Sequence, residues 1–270
     1  MKNPAEVRTD DLSEKRDGSV DNHRGRVIHV VLPAYNEAAN VGAVLRSLEK
    51  AGKESGMRMH AIVVDDGSSD CTGQVVRGHN GELEITLIQH SSNLGLGAAL
   101  RSGLLAAMDR AADEDVVVTM DADDTHTPAA IVAMVTRIDQ GFDVLIASRY
   151  QKGALVVGVP LGRRFLSYTA SLLFRIVFPI KGVRDFTCGY RAYRASVLRQ
   201  ALSRYRQEFV NQEGFQCMVD ILLKLSRINL RFEEVPIVLR YDRKGGKSKM
   251  KVMRTIYMTL TLLLKRRLGF

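Results

Sequence analysis

Short apolar runs, rich in β-branched residues, alternate with amphipathic stretches along the first half of the chain. The runs predict buried strands because each is brief and ends at a polar or turn-forming residue. They cover residues 27–32, 61–64, 85–88, 116–120 and 144–147. Helical periodicity appears between them, at residues 38–51, at residues 97–112 and from Pro128. The first of these helices has one apolar face, formed by Val41, Val44, Leu45 and Leu48. Strands alternating with helices predict parallel βαβ units, hence an α/β fold with a doubly wound, mostly parallel sheet flanked by helices.

Polar motifs directly follow three of the predicted strands. The first strand is followed by Tyr-Asn-Glu at residues 35–37, the second by two aspartates at residues 65–66, and the fourth by Asp-Ala-Asp at residues 121–123. Ligands of doubly wound sheets bind beyond the carboxyl ends of the strands. We therefore expect the three motifs to meet at one edge of the sheet and to form a site there.

The Asp-Ala-Asp motif carries the most specific chemistry. Asp121 and Asp123 can hold a hard divalent cation, because Mg²⁺ or Mn²⁺ takes one or two carboxylates and fills its other positions with water and substrate phosphates. An isolated Asp-x-Asp is more often a solvated acidic loop, here with Asp124 as a helix cap. The other motifs at the same edge favour the metal-site interpretation.

A glycine pair opens the second long helix. Gly95 and Gly97 are reminiscent of a dinucleotide-binding fingerprint, but they follow the third strand instead of the first, and a third glycine is missing. The favoured interpretation is structural, with glycines permitting a tight turn and close packing between helix and sheet.

Composition limits the class of protein. The chain has 270 residues, 46% of them apolar, which is enough for one sizeable α/β domain. Its three cysteines share no metal-ligand spacing and fit a reducing compartment, so we expect a cytoplasmic protein. A polar, mixed-charge stretch at residues 1–25 predicts a disordered N-terminal tail. No segment reaches the roughly 18 consecutive apolar residues that a membrane span needs.

Charge divides the chain into two unlike halves. Residues 26–147 carry a net charge of −8, and residues 148–270 carry +18. The acidic half can hold a cation, and the basic half suits an anionic partner such as a membrane surface, a phosphorylated lipid or nucleic acid. Nucleic-acid binding would predict aromatic residues interleaved with basic ones, and that pattern is absent. We therefore expect no nucleic-acid partner.

Several strings of residues resemble a known family. VVLPAYNEAANV, VVDDGSSDCT, NLGLGAALRSGL and MDADDTHTP look like the motifs of inverting family 2 glycosyltransferases, which have the GT-A fold. The resemblance covers most of residues 27–250. Further motifs in the back half look like those of the polyprenyl-phosphate (dolichol-phosphate) mannose synthase subgroup: ASRY at 147–150, RRxxS at 163–167, FTCGYR at 186–191, EVPI at 234–237 and the basic stretch 243–250. The resemblance implies that a hexose is transferred from a nucleotide diphosphate sugar to a polyprenyl phosphate. The implied hexose is mannose, and the implied donor is GDP-mannose.

The resemblance also implies a donor site. Pro33, Tyr35 and Glu37 would line the pocket for base and ribose, with Asp65 at the base and Asp66 near the ribose. The full nucleotide-sugar set is Pro33, Tyr35, Glu37, Asp65, Asp66, Asp121, Arg243 and Lys249. The last two match a basic loop that closes over the diphosphate. The implied metal ligands are Asp121, Asp123 and Thr125, where Thr125 is the positional match for a third ligand. Glu37 has a simpler alternative as a helix-capping acid.

The acceptor site follows from the same resemblance. Arg149, Arg163 and Ser167 match positions that bind the acceptor phosphate, and the implied catalytic residues are Asp123, Arg149 and Arg163. On charge alone, Arg163 could belong to a solvated helix face. A phosphate monoester has its second pKa near about 6 and is largely ionised at neutral pH, so this reaction needs no general base. If the acceptor were instead a neutral hydroxyl, Asp220 would be the candidate base.

The C-terminal residues 251–270 predict a basic amphipathic helix. Its apolar residues recur at helical spacing, and lysines and arginines lie at both ends of the apolar stretch. It can be a core helix, or it can lie in the headgroup region of an anionic membrane, on the cytoplasmic face. The expected organisation is thus a tail at 1–25, a GT-A domain at 26–250 and this helix. The alternatives left open are a hydroxyl acceptor, as in polysaccharide or secondary-metabolite synthesis, and UDP-glucose as donor.

Overall fold

The structure is a computed structural model that describes residues 25–159, 161–243 and Thr261. The predicted tail and the predicted C-terminal helix therefore lie outside the described residues, apart from Gly25 and Thr261. Lys249 and the side chains of Arg163 and Arg243 lie outside them as well. Within the described part of the chain, no helix combines the length and the apolar character needed to cross a bilayer.

Strands and helices alternate through the first half of the chain, as the pattern predicts. The strands are β1 (Val27–Ala34), β2 (Arg58–Asp65), β3 (Glu84–Gln89), β4 (Val116–Thr119), β5 (Val144–Ser148), β6 (Leu155–Val157), β7 (Arg191–Arg194), β8 (Phe232–Pro236) and β9 (Val238–Arg240). The α-helices are α1 (Val41–Ser55), α2 (Thr72–Arg77), α3 (Leu96–Met108), α4 (Ala129–Asp139), α5 (Leu161–Val177), α6 (Ala195–Tyr205) and α7 (Cys217–Leu225). Two 3₁₀ helices follow α6 and β9, at Arg206–Val210 and Tyr241–Arg243.

Seven of the strands form one sheet in the order β3-β2-β1-β4-β7-β5-β8. All neighbours in it are parallel except β7, which runs antiparallel to both β4 and β5. The strands β6 and β9 pair separately as a short parallel ribbon. The prediction of a doubly wound, mostly parallel sheet flanked by helices is confirmed.

The apolar runs form the hydrophobic core, as the pattern of buried strands predicts. The interior residues of β1, β2, β4 and β5 are buried, as expected for strands covered on both faces. Helix α1 buries the predicted face of Val41, Val44, Leu45 and Leu48. It begins at Val41 and not at residue 38, because Asn40 takes the cap position and the preceding residues form a turn.

A chain of polar side chains crosses the sheet near the amino ends of its strands. His29 Nδ1 lies 3.0 Å from His60 Nδ1, His29 Nε2 lies 3.3 Å from Asp115 Oδ2, and His60 Nε2 lies 2.9 Å from Thr86 Oγ1. A carboxylate only accepts, so one proton arrangement satisfies the whole chain when both rings are neutral: Thr86 donates to His60, His60 to His29, and His29 to Asp115. If both Nδ1 atoms carried a proton, both would be donors and the hydrogen bond between the two rings would be lost.

This arrangement predicts that the protein loses stability in mild acid. Burial lowers the pKa of His60 below its ordinary value of 6.5. The unfolded chain therefore binds a proton on His60 more readily than the folded chain does, and the free energy of unfolding should fall as the pH drops below about 6.5. Urea unfolding between pH 8 and pH 5 measures this. His60→Gln should make the decline shallower, and an equally steep decline in that variant would contradict the assignment.

Candidate active site

The loops that follow β1 and β2 are joined to each other by hydrogen bonds. Asn36, in a left-handed conformation with φ of 53°, donates its backbone N–H to Ser68 Oγ at 2.9 Å and accepts the Ser69 N–H on Oδ1 at 2.8 Å. The Glu37 N–H donates to Thr72 Oγ1, also at 2.9 Å. The two loops thus form one surface at the carboxyl edge of the sheet, where the sequence predicts a site.

The predicted donor residues on these loops lie along this edge. Pro33 is in β1 and pairs in register with Val64, while Tyr35 follows the strand and is exposed. Glu37 is buried, and its carboxylate accepts the Asn40 side-chain amide at 2.7 Å. Glu37 therefore does not cap α1, which has no side-chain cap and no acidic residue in its first turn, but it holds the side chain of the N-cap residue Asn40. Its role in nucleotide binding stays a prediction.

The two consecutive aspartates are both buried and have different partners. Asp65 accepts the Ser68 N–H and the Gln89 side-chain amide, each at 3.0 Å. Asp66 accepts the N–H groups of the turn that precedes α3, from Leu94 at 3.0 Å and from Gly95 at 2.8 Å. Asp66 thus joins the end of β2 to the turn after β3.

The glycine pair is structural, as the sequence interpretation favours, but it packs against the backbone of residues 212–213 and not against the sheet. Gly95 has a φ of 90°, which L side chains rarely adopt. A Cβ atom on Gly97 would lie 1.7 Å from the Gln212 carbonyl oxygen, and the Gly97 N–H donates to the Glu213 carbonyl at 3.0 Å. The glycines therefore let the turn pack directly against the backbone of residues 212–213.

The Asp-Ala-Asp motif leaves β4 at the same edge. Asp123 is buried, and its Oδ1 accepts both the N–H and the hydroxyl of Thr125, at 3.2 and 2.6 Å. The Thr125 carbonyl accepts the Arg240 N–H at 2.9 Å, which attaches the loop to β9. Thr125 thus orients Asp123, and its hydroxyl oxygen keeps lone pairs for a cation.

Asp121 and Asp123 fit a hard divalent cation through their chemistry. Both are oxygen donors, two residues apart on one loop. Within the residues that the structure describes, no cluster of three or more His, Cys, Asp or Glu side chains offers a complete protein cage. A pair of carboxylates is the usual protein contribution where Mg²⁺ or Mn²⁺ also binds substrate phosphates.

Arg149 follows β5 and is held by a buried carboxylate. Its Nε donates to Asp185 Oδ2 at 2.8 Å, and its Nη2 donates to Asp185 Oδ1 and Thr187 Oγ1, each at 2.6 Å. The Asp185 side chain is fully buried, whereas that of Arg149 is 24% exposed. Among the described residues Nη1 has no hydrogen-bond partner, so this end of the guanidinium remains for an anion.

The pair is ionised across the ordinary pH range. Burial alone would lower the pKa of Arg149, but the charge and hydrogen bonds of Asp185 hold that pKa above its ordinary value. Burial alone would raise the pKa of Asp185, and Arg149 more than offsets this and keeps the pKa below its ordinary value. Arg149 thus carries a fixed positive charge, and the buried Asp185 carboxylate sets the orientation of its guanidinium.

Tyr150 contacts both Ser167 and Arg149 and so places them near each other. The Tyr150 hydroxyl lies 2.8 Å from both the carbonyl oxygen and the Oγ of Ser167, and the Arg149 guanidinium lies 5.5 Å from the centre of the Tyr150 ring. Arg163 precedes Ser167 by four residues in α5, so the two positions share a helix face. The structure therefore brings two of the three predicted acceptor residues together, and the third position lies on the same face as one of them.

We assigned no role from the sequence to two carboxylates beside Arg149, namely Asp185 and Glu234, although Glu234 begins the EVPI motif. Asp185 precedes the FTCGYR motif directly, which was its only signal. Glu234, in β8, accepts the N–H groups of Arg184 and Asp185 on Oε1, each at 2.6 Å, and burial raises the pKa of Glu234. Glu234 thus fixes the backbone that presents Asp185 to Arg149.

The surroundings of Asp220, the candidate base for a hydroxyl acceptor, do not suit a general base. It is 1% exposed, and its carboxylate lies 2.5 Å from Lys224 Nζ. Lys224 is itself buried and contacts the Phe209 carbonyl and Asn211 Oδ1, at 3.3 and 3.2 Å. A substrate hydroxyl does not reach a carboxylate so enclosed, which weighs against general-base catalysis by Asp220.

Strand β9, which precedes the basic stretch 243–250, is attached to the loop that carries the Asp-Ala-Asp motif. His126 forms a bridge with Leu239, and its ring stacks on Tyr190 with centroids 5.0 Å apart. Together with the Arg240 contact to Thr125, this bridge brings the chain past the Asp-Ala-Asp loop just before Arg243. Arg243 ends the second 3₁₀ helix. The predicted closing of this segment over the donor stays a prediction.

Comparison with known proteins identifies relatives of the chain. The model of glycosyl transferase family 2 matches residues 29–202. Polyprenol monophosphomannose synthase of Mycolicibacterium smegmatis is 33% identical over 227 residues, which cover 82% of this chain and 80% of the relative. Undecaprenyl-phosphate mannosyltransferase of Micrococcus luteus is 32% identical over 221 residues, covering 82% and 86%.

Solved structures support the fold. Glucosyl-3-phosphoglycerate synthase from Mycobacterium tuberculosis, in complex with Mn²⁺, UDP-glucose and phosphoglyceric acid, superimposes with a TM-score of 0.64 at 20% sequence identity and covers 92% of this chain and 81% of that one. Its complex with Mg²⁺ and UDP gives a TM-score of 0.65, also at 20% identity, with 92% and 81% coverage. At such identity the likeness shows the fold alone, and the predicted GT-A fold is confirmed.

Proposed function

Because the chain belongs to glycosyl transferase family 2, we propose that it transfers mannose from GDP-mannose to the phosphate of a polyprenyl lipid, with inversion at the anomeric carbon. The names of the relatives from Mycolicibacterium smegmatis and Micrococcus luteus support a polyprenyl phosphate as acceptor and mannose as the sugar. The donor would bind at the edge formed by the loops after β1, β2 and β4.

One structural observation carries the proposal. Residues 185–189 form a short segment that contacts Arg149 at one end, through Asp185. At its other end a Cβ atom on Gly189 would lie 3.6 Å from Asp121 Oδ1. Five residues span at most about 14 Å between their first and last Cα atoms. A carboxylate pair suited to a metal–diphosphate and an arginine suited to a phosphate therefore lie within reach of one donor–acceptor pair.

This arrangement matches what the reaction needs. An acceptor phosphate oxygen forms a bond to the anomeric carbon while the bond from that carbon to the diphosphate breaks, and the electron pair leaves with the nucleoside diphosphate. The nucleophile is already ionised at neutral pH, so positioning is the main task. Arg149 would orient the acceptor phosphate through Nη1, with Arg163 and Ser167 beside it. A Mg²⁺ or Mn²⁺ ion held by Asp121 and Asp123, with Thr125 as a third ligand, would offset the charge of the leaving diphosphate.

The hydroxyl-acceptor alternative has weaker support. It requires a base to remove the hydroxyl proton, and the candidate, Asp220, is buried in an ion pair with Lys224. The choice between GDP-mannose and UDP-glucose depends on contacts to base and sugar. Incubation with a polyprenyl phosphate, Mn²⁺ and one radiolabelled donor at a time tests the donor. Label should enter the lipid fraction from GDP-mannose, and incorporation from UDP-glucose alone would overturn this choice.

The acceptor lipid implies a membrane surface, and α5 offers a suitable face. Its inner side packs on the domain, where Ser171 Oγ donates to the Arg184 carbonyl at 2.6 Å and Phe174 stacks on Phe186. Its outer side exposes four large apolar side chains, Tyr168, Leu172, Leu173 and Ile176. A groove of about 730 Å³ lies along the end of α5, and its lining includes three basic side chains, Arg175, Lys181 and Arg184, and two acidic ones, Glu233 and Glu234. Exposed apolar side chains near basic ones suit the interface of an anionic membrane, and we place the protein peripherally on the cytoplasmic face.

Ile176→Asp should therefore weaken binding to anionic liposomes. Ile176 is 71% exposed, and loss of its burial in lipid removes about 1.5–3 kcal/mol, or roughly tenfold or more in the partition coefficient. Sedimentation with phosphatidylglycerol vesicles at low and high salt measures this. Leu105→Asp is the matched control, because Leu105 is 47% exposed on α3, a helix that packs against β1 and β2. Equal loss in both variants would contradict a specific role for the α5 face.

A further inference from the structure

A histidine and a serine extend the contacts of Asp66 away from the predicted nucleotide site. His90 Nδ1 lies 2.7 Å from Asp66 Oδ1, and His90 Nε2 lies 2.9 Å from Ser102 Oγ. His90 follows β3, and Ser102 is in α3. The three side chains therefore connect the end of β2, the end of β3 and the helix that the glycine turn begins.

The position of the proton on the His90 ring follows from the charge of its partner, the Asp66 carboxylate. An ionised carboxylate only accepts, so His90 Nδ1 carries the hydrogen and donates to Asp66. In the neutral ring Nε2 then accepts the Ser102 hydroxyl proton, which selects this tautomer. Asp66 Oδ1 receives His90 and the Leu94 N–H, and Oδ2 receives the Gly95 N–H. Three of about four lone-pair sites on the carboxylate are thereby used, and one remains for a ligand.

The turn that Asp66 holds is fixed from its other side as well. The Gly97 N–H donates to the Glu213 carbonyl, and the backbone of residues 212–213 covers the turn closely. The turn is thus held between the backbone of residues 212–213 and the Asp66 carboxylate, so a change in the orientation of that carboxylate would strain or displace it. His90 is the side chain that sets this orientation.

We propose that His90 is a positioning residue for donor binding. Through Asp66 it holds the turn at residues 94–97 at the carboxyl edge of the sheet and keeps oriented a carboxylate that would accept a ribose hydroxyl of the donor. This inference rests on the proposed function, since it assigns His90 to the donor side of that same site. It predicts that His90 affects the affinity for the donor much more than it affects the rate of the chemical step.

The test compares two substitutions at His90 with one at a second histidine. His90→Leu removes the donor to Asp66, whereas His90→Asn keeps an N–H near the position of Nδ1. His79→Leu is the control: His79 Nε2 lies 3.2 Å from Glu49 Oε2, so it removes a similar histidine–carboxylate contact away from the turn. Titration calorimetry with GDP-mannose and Mn²⁺ gives the dissociation constant, and single-turnover transfer with the donor saturating gives the rate.

His90→Leu should raise the dissociation constant of GDP-mannose about tenfold and change the saturated rate less than threefold, since it removes a hydrogen bond to a charged group. His90→Asn should restore most of the affinity, and His79→Leu should bind like the wild type. Unchanged affinity in His90→Leu, or equal loss in His90→Leu and His79→Leu, would overturn the inference alone. If the wild type bound neither GDP-mannose nor any other nucleotide sugar, the proposed function would fail and this inference with it.

Discussion

Asp123→Asn should reduce mannosyl transfer by about a hundredfold or more while leaving the thermal midpoint close to that of the wild type. The substitution removes one carboxylate charge from the predicted cation site and keeps the shape of the side chain. A bound cation supplies several kcal/mol of stabilisation to the departing diphosphate, and each 1.36 kcal/mol corresponds to a factor of ten in rate. Initial rates at saturating donor and acceptor, over a range of Mn²⁺ concentrations, measure the loss.

Asp124→Asn is the matched control for this prediction. It removes the same charge from the same loop, and asparagine tolerates the left-handed φ of 57° found at Asp124. Its activity should stay close to that of the wild type. EDTA should abolish the wild-type activity, and added Mg²⁺ or Mn²⁺ should restore it. Equal loss in the Asp123 and Asp124 variants, or full activity in EDTA, would mean that no cation is held by Asp123.

The second large effect is expected at Arg149. Arg149→Lys keeps the positive charge but loses the planar fork that binds both oxygens of Asp185 and leaves Nη1 for the acceptor. One lost charge-assisted hydrogen bond costs about 1.5–3 kcal/mol, so kcat/KM for polyprenyl phosphate should fall roughly ten- to a hundredfold. Donor affinity, measured by calorimetry with GDP-mannose, should not change.

Arg194→Lys provides the comparison for that experiment. Arg194 is also paired with an aspartate, Asp143, and its side chain is 26% exposed, close to the value for Arg149, but it lies at the far end of β7. Its substitution should leave the acceptor kinetics intact. Arg163→Ala should act on the same acceptor parameter as Arg149→Lys. Normal transfer in both acceptor variants would show that the phosphate binds elsewhere.

The parts of the fold that the sequence predicts are those with a simple local pattern. The apolar runs of β1, β2, β4 and β5 are buried on both faces, so nearly every residue in them is hydrophobic. Strand β7 has no such pattern. It begins at Arg191, whose buried guanidinium donates to the carbonyls of Met218 and Phe186, at 2.7 and 2.8 Å. Only tertiary contacts make that arginine compatible with a core strand.

The residues of the site also fall into two groups, those that the sequence predicts and those that only the fold reveals. Asp121 and Asp123 are recognisable because their spacing and their place after a strand carry chemical meaning. Asp185 is 36 residues from Arg149, and His90 is 24 residues from Asp66. No local spacing connects such pairs, so their contacts follow only from the folded chain. The histidine pair across β1 and β2 is hidden for the same reason.

The most direct test of the central claim is a paired acceptor assay. A polyprenyl phosphate and the corresponding polyprenol, with a free hydroxyl in place of the phosphate, are each incubated with the protein, Mn²⁺ and radiolabelled GDP-mannose. We expect labelled mannose only in the lipid that carries the phosphate, joined through the phosphate and inverted at the anomeric carbon. Label on the polyprenol hydroxyl, or no transfer to the phosphate by protein that binds GDP-mannose, would contradict this expectation.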